Sequence, residues 1–219
     1  MRNRTPRMLC GTLMFFMVAA CTDDGSNEKA TLSASQVCDS TLHPPSAAAL
    51  ARLASTDHFT ELTGTNQLGD ATKFSLRLAA KRLHRSAKER NACWVYKAGD
   101  NRGIPLLIVE FEPSESHPAP DEEARKAESD RLVYPLGSYA EINGVMGANL
   151  YFSCSTKGLK GTLPFVRASM YSSGGQLAPG STPDDRMAVL NDVARGLTEE
   201  LGCAAEAALP ARIPAPTNG

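Results

Sequence analysis

Six cysteines narrow the folds open to this chain more than any other feature, because one falls in a leader, one at the leader's cut site and four beyond it. Arg2, Arg4 and Arg7 precede an uncharged run from Met8 to Val18, which ends in Ala19-Ala20 and gives way to polar residues from Thr22 to Lys29. A positive start, a short apolar stretch and a small-residue exit are the three parts of a secretory signal. The run is shorter than the roughly 20 apolar residues that a permanent span requires. Removing residues 1–20 discards Cys10 and leaves Cys38, Cys93, Cys154 and Cys203 in an exported domain. An even number of cysteines in an oxidising compartment implies two disulfides. Zinc ligation is not expected, since there is no Cys-x-x-Cys and no histidine lies three or four residues from any of the four.

The cut site, Val18-Ala19-Ala20-Cys21, resembles the bacterial lipobox, in which the cysteine becomes the mature N-terminus and its thiol receives a diacylglyceryl group. The resemblance implies lipidation at Cys21, with palmitate-type acyl chains in the outer leaflet of the cell membrane. Two chains give a stable hold where one gives a marginal one, at about 0.8 kcal/mol per buried CH₂. Residues 21–35 are polar, lack aromatics and read as a flexible tether, reaching at most ~3.3 to 3.6 Å per residue. Loss of the three leader arginines takes the formal net charge from −1 to −4, a balance unsuited to nucleic acid.

Residues 36–209 suffice for one α+β domain. Pro44 to Ala54 is alanine-rich with proline only at its start, so a helix is expected there. Leu78 to Glu89 reads as a second helix, within a segment from Lys73 to Arg90 that holds seven basic residues and one acid. The pattern Cys93–Lys97, a Gly-Asp-Asn turn, then Ile104–Glu112 predicts a hairpin. The unbroken apolar run from Leu106 to Val109 suggests a strand covered on both faces. Residues 113–127, rich in proline, serine and acids, read as a flexible excursion. Short runs at Leu132–Tyr134, Tyr139–Ile142, Leu150–Cys154 and Phe165–Tyr171, broken by glycines, predict antiparallel strands.

The last element has the most local signals: Thr182 as N-cap, Pro183 at N1, Asp184 and Asp185 at the positive end, an apolar stripe from Met187 to Leu201, and Gly202 at the exit. Residues 210–219 carry three prolines and no apolar pattern, and read as a disordered tail.

The chain has no nucleophile elbow, phosphate loop, dinucleotide fingerprint or His-Glu-x-x-His. His43, His58, His84 and His117 stand apart in sequence. Glu110 and Glu112 share one side of a strand, which a solvated face explains as well as acid–base work does. Trp94, Tyr96, Tyr134, Tyr139 and Tyr151 suit either core packing or a ligand groove. Arg77, Lys81, Arg82 and Arg85 form a patch for an anionic lipid, wall polymer or acidic partner; a solvated helix face is the reading preferred here. No cofactor is implied.

The lipobox, the tether, Cys38-Asp39-Ser40-Thr41-Leu42 before an alanine-rich helix, Cys93-Trp94, Phe152-Ser153-Cys154 and Leu201-Gly202-Cys203 together resemble the small cell-envelope lipoproteins of actinobacteria, a group of unknown function. The resemblance implies an α+β lipoprotein with two disulfides and transfers no catalytic residue. The sequence thus points to a non-enzymatic binding or interaction module, with a hydrolase acting on an envelope or extracellular substrate as the alternative. The expected pairs are Cys38 with Cys93 and Cys154 with Cys203, since the final helix must lie on the sheet that carries Cys154. Crossed pairings stay open at this level, because nothing in the sequence orders the strands.

Overall fold

Alternation of apolar and polar residues from Leu107 to Ser172 builds the centre of the molecule, a sheet with one buried face. The computed structural model describes residues 31–67, 69, 71–119, 131–159 and 161–217. The leader, Cys21, most of the tether and residues 120–127 of the expected excursion lie outside these. Eight strands are described: β1 Leu32–Ser33, β2 His58–Glu61, β3 Cys93–Lys97, β4 Leu107–Ser114, β5 Arg131–Tyr134, β6 Tyr139–Asn143, β7 Gly147–Gly158 and β8 Gly161–Ser172. They form one antiparallel sheet in the order β1-β2-β3-β4-β8-β7-β6-β5. The helices are α1 Pro44–Ala54, α2 Leu76–Arg82, α3 Pro183–Leu201 and the short α4 Ala204–Ala207. The α+β class and both expected disulfides are present, Cys38–Cys93 and Cys154–Cys203, with Cα separations of 5.5 and 5.4 Å.

Helix α3 lies on β7 and β8 and carries α1 and α2 on its far side. Its start is fixed locally: Asp185 N donates to Thr182 Oγ1 at 3.1 Å, and Thr182 N donates back to Asp185 Oδ2 at 3.1 Å. This reciprocal capping box satisfies two amides that the helix itself leaves unpaired. Gly202, at φ +74°, closes the other end in the left-handed conformation that glycine adopts without strain. Met187, Leu190, Val193, Ala194 and Leu197 are fully buried against the sheet side, and Asn191, Asp192 and Thr198 are buried too.

Cys154 sits in a β-bulge. Ser153 pairs with Phe165 and Thr156 with Leu163, so Cys154 and Ser155 together oppose Pro164. A proline without an N–H is tolerated inside a sheet at such a break. The bulge lies where the bond to Cys203, just past the end of α3, is made.

Five expectations are corrected, four of them here. The tether does not extend to residue 35: Leu32 and Ser33 pair with Phe59 and His58, and Ala34 is buried. Residues 210–217 are not a loose tail, because Ile213 packs on the core, Thr217 N donates to Val133 O at 2.8 Å and Asn191 Nδ2 holds Pro210 O at 2.8 Å. Pro113 and Ser114 belong to β4, paired with Val166 and Phe165, beyond the last β3 partner, where a missing N–H harms nothing. Finally, Leu107 and Val109 are buried while Ile108 is only partly so and Glu110 is exposed, so β4 is covered on one face. In a polar chain the apolar run simply overshoots by one outward isoleucine, opposite Trp94 and Tyr171.

The second helix is also shorter than expected, ending at Arg82, with a separate 3-10 turn at Ala87–Glu89 capped by Ser86.

Each disulfide closes a loop of about 50 residues, for which the chain-entropy model gives about 4 kcal/mol. Replacing Cys154 and Cys203 together by alanine should lower the unfolding free energy by about that much, read from the urea midpoint. A loss below about 1 kcal/mol would contradict the role given to this bond.

Candidate anion-binding site

The residues singled out in the sequence scatter. Glu110 and Glu112 do share the outer side of β4, but Glu112 is taken up by ion pairs with Arg90 Nη1 at 2.7 Å and with Arg167. His117 stacks edge-on against Phe165, with ring centroids 4.9 Å apart, and His58 is beside Asp57. His43 Nδ1 reaches buried Asp192 Oδ2 at 3.3 Å, a geometry that resembles a general base and its orienting acid. The same oxygen accepts from His43 N at 3.0 Å, and the other oxygen pairs with Arg195 at 3.2 Å. Asp192 therefore pins the start of α1 to α3. Tyr134 is buried and donates to Asp184 Oδ1 at 2.6 Å; burial and that carboxylate push its pKa up. Tyr139 is buried and donates to Glu141, while Trp94, Tyr96 and Tyr151 are half-buried on the outer face of the sheet.

The Cys38–Cys93 bond lies within a strained turn. Cys38, Asp39 and Ser40 all take positive φ, at 50°, 64° and 60°, a conformation that costs a non-glycine residue about 1–2 kcal/mol. Several contacts hold them there. Glu61, 5% exposed on the inner side of β2, accepts from Cys38 N; Thr41 Oγ1 donates to Cys38 O at 3.0 Å; and Asp39 Oδ2 accepts from Leu76 N at 3.0 Å, at the start of α2. Cys38, Cys93 and Glu61 converge closely enough to hold a metal, but the sulfurs are bonded to each other and offer no thiolate.

The site that sequence reading missed is at the first turn of α3. Arg186 is 5% exposed and stands four, seven and eleven residues before Leu190, Val193 and Leu197, on the buried stripe of the helix. That spacing was available in the sequence, but the turn was read for its cap and its dipole, with Asp184 and Asp185 at the positive end, and Arg186 was not singled out. In the structure both are engaged elsewhere: Asp184 accepts from Tyr134, and Asp185 caps the helix and takes Arg52 Nη2 at 2.6 Å. Arg186 Nη2 donates to Gly144 O at 2.9 Å, while buried Nη1 has no partner, and no carboxylate among the described residues pairs with the guanidinium. Burial pushes the pKa of Arg186 down, yet an arginine does not lose its proton in a protein. A buried charge without a counter-ion carries a penalty of several kcal/mol. The residue lines a cleft of about 250 Å³ with Gly144 and Val145 of the β6–β7 turn, Leu177, Ser181 and Pro183. Val145 is 66% exposed, so the cleft has an apolar lip over a cationic floor. The positive end of the α3 dipole points the same way. Such a cleft suits one anionic group carried on a small apolar body.

No family model, curated protein or solved structure matches this chain.

Glu61 supplies a prediction of its own. Burial raises its pKa above the ordinary carboxylate value, against the opposing pull of the Cys38 amide and Lys73. The folded state therefore holds the Glu61 proton more tightly than the unfolded chain does. Its contribution to stability is complete below the unfolded carboxylate pKa and is lost as pH rises through the folded one. Glu61→Gln keeps an acceptor for Cys38 N without a charge to bury. It should be more stable than the native chain at pH 8 and equal to it near pH 4 in thermal melts. A variant less stable at pH 8 would show that the ionised carboxylate is needed.

Proposed function

We propose that this protein is a lipid-anchored binding module on the outer face of a cell membrane, of the kind found among actinobacterial envelope lipoproteins, and that the Arg186 cleft receives an anionic group of its ligand. One observation carries the reading: a guanidinium buried on a core stripe, with both neighbouring aspartates engaged and one nitrogen left without an acceptor. A fold that merely needed a side chain to fill this position would be better served by methionine or leucine, which bury without a charge. Keeping a charge there sacrifices stability for a site, as binding and catalytic residues commonly do. The one hydroxyl in the lining, Ser181, has no histidine or carboxylate beside it in the cleft to take its proton, so the cleft is suited to holding a ligand rather than transforming it. The anchor reading rests on the Val18-Ala19-Ala20-Cys21 lipobox and the polar exit behind it.

Two experiments test this. Arg186→Met should leave the ligand-free protein as stable as the native chain or about 1–3 kcal/mol more so. The native protein should gain stability with rising hexanoate, by about 2.7 kcal/mol at a hundredfold excess over Kd, and the variant should not. Marked destabilisation by Arg186→Met with no response of the native chain to hexanoate would make the arginine purely structural. In cells, Cys21→Ser should leave the precursor uncut or release the protein to the medium; processed, membrane-bound protein would contradict the anchor.

A further inference from the structure

We propose that the basic face formed by α2 and the turn after it is a membrane seat that takes anionic lipid headgroups. Lys73, Arg77, Lys81, Arg85 and Lys88 are all exposed, and none of them pairs with a carboxylate among the described residues. Lys81, Arg82, Arg85 and Glu89 line a surface depression of about 270 Å³, room for a lipid phosphate. The one acid in it is engaged within the turn: Glu89 Oε2 takes Ser86 Oγ at 2.6 Å and Ser86 N at 3.3 Å, capping the 3-10 turn. The chain as a whole is mildly acidic, so the positive face reflects segregation of charge within the fold and not an overall excess.

The reach of the tether argues for a membrane over a soluble partner. A Cβ placed on Gly158 would stand 2.3 Å from His84 Nδ1, so the basic turn lies against the far end of β7. Strand β1 runs opposite to β4 and β7, and the pairings of Leu32 with Phe59, Phe59 with Lys97, Val95 with Leu107, Leu107 with Ser172 and Tyr171 with Gly147 set Leu32 level with the start of β7, at the other end of the sheet. Fewer than a dozen residues separate Cys21 from Leu32, a reach of at most ~40 Å. The Arg186 cleft opens beside Gly144 and Val145, just before the other end of β7, which at ~3.3 Å per residue is roughly 35–40 Å away along the strand. A tether whose reach matches the length of β7 lets the basic end of the domain meet the bilayer, so that the domain is attached twice, by acyl chains and by charge.

The inference takes the presence of a membrane from the lipid-anchor reading, but its test does not depend on that reading. The Cys21→Ser chain beginning at residue 21 contains every described element and carries no acyl group, so its partition onto vesicles reads the basic face alone. Partition should be seen on vesicles containing phosphatidylglycerol and not on phosphatidylcholine alone, and should fall steeply between 0.05 and ~0.5 M salt. Each basic side chain near an anionic surface is worth about fivefold, so Lys81→Glu/Arg85→Glu/Lys88→Glu should lose at least ~100-fold. These side chains are exposed, and an unchanged melting temperature checks that the triple variant is folded. Absence of partition onto phosphatidylglycerol vesicles, or undiminished partition of the triple variant, would overturn the proposal.

Discussion

The packing of α3 between the sheet and the other helices is the constraint on which the rest of the structure depends. A helix covered on both sides must satisfy or compensate every polar group it carries, and its buried residues show how this is done. Asp185 caps the helix and takes Arg52 from α1. Asp192 takes His43 and Arg195, and Thr198 Oγ1 donates to Arg195 O at 2.7 Å. Asn191 holds the C-terminal segment through Pro210. At its far end the helix is tied covalently to β7 through Cys203. Each of these links joins α3 to a different neighbour, so the helix positions α1, the sheet and the final residues together. Arg186 alone on this helix combines burial with an unbalanced charge, and for that reason it stands out as a site.

What could be read from the sequence was what local rules decide. The capping residues, the proline and the glycine of α3 act within a turn of where they stand, so Thr182 to Gly202 was legible residue by residue. The Cys154–Cys203 pairing followed, because an amphipathic helix must lie on the sheet. The Cys38–Cys93 pairing was expected with less reason, and its surroundings were not foreseen. Three left-handed residues in a row, none of them glycine, have no local signature; they are held by Glu61 and by the disulfide, both distant in sequence.

The misread segments share a cause. Leu32, Ser33, Ile213 and Thr217 were assigned to tether and tail because polarity and proline dominate their neighbours, yet each is held by one long-range contact. Ile108 looked buried because its run was apolar, but the face of a strand is set by parity and not by composition. Arg186 was passed over because the first turn of α3 was read only for its cap and its dipole. Asp184 and Asp185 stand next to it in the chain, and only the fold shows that Tyr134 and Arg52 have already taken them.

The basic face and the cleft have separate proposed tasks, one to take lipid headgroups and the other an anionic ligand. The cleft is the central claim, and the side chain itself reports on it. In an NMR titration of arginine-labelled protein with hexanoate, the Arg186 guanidinium signals should shift saturably and their hydrogens should exchange more slowly with water, while those of exposed Arg77 and Arg85 stay in place. Arg186 signals that do not respond at any hexanoate concentration, or that move only in step with the exposed arginines, would contradict it.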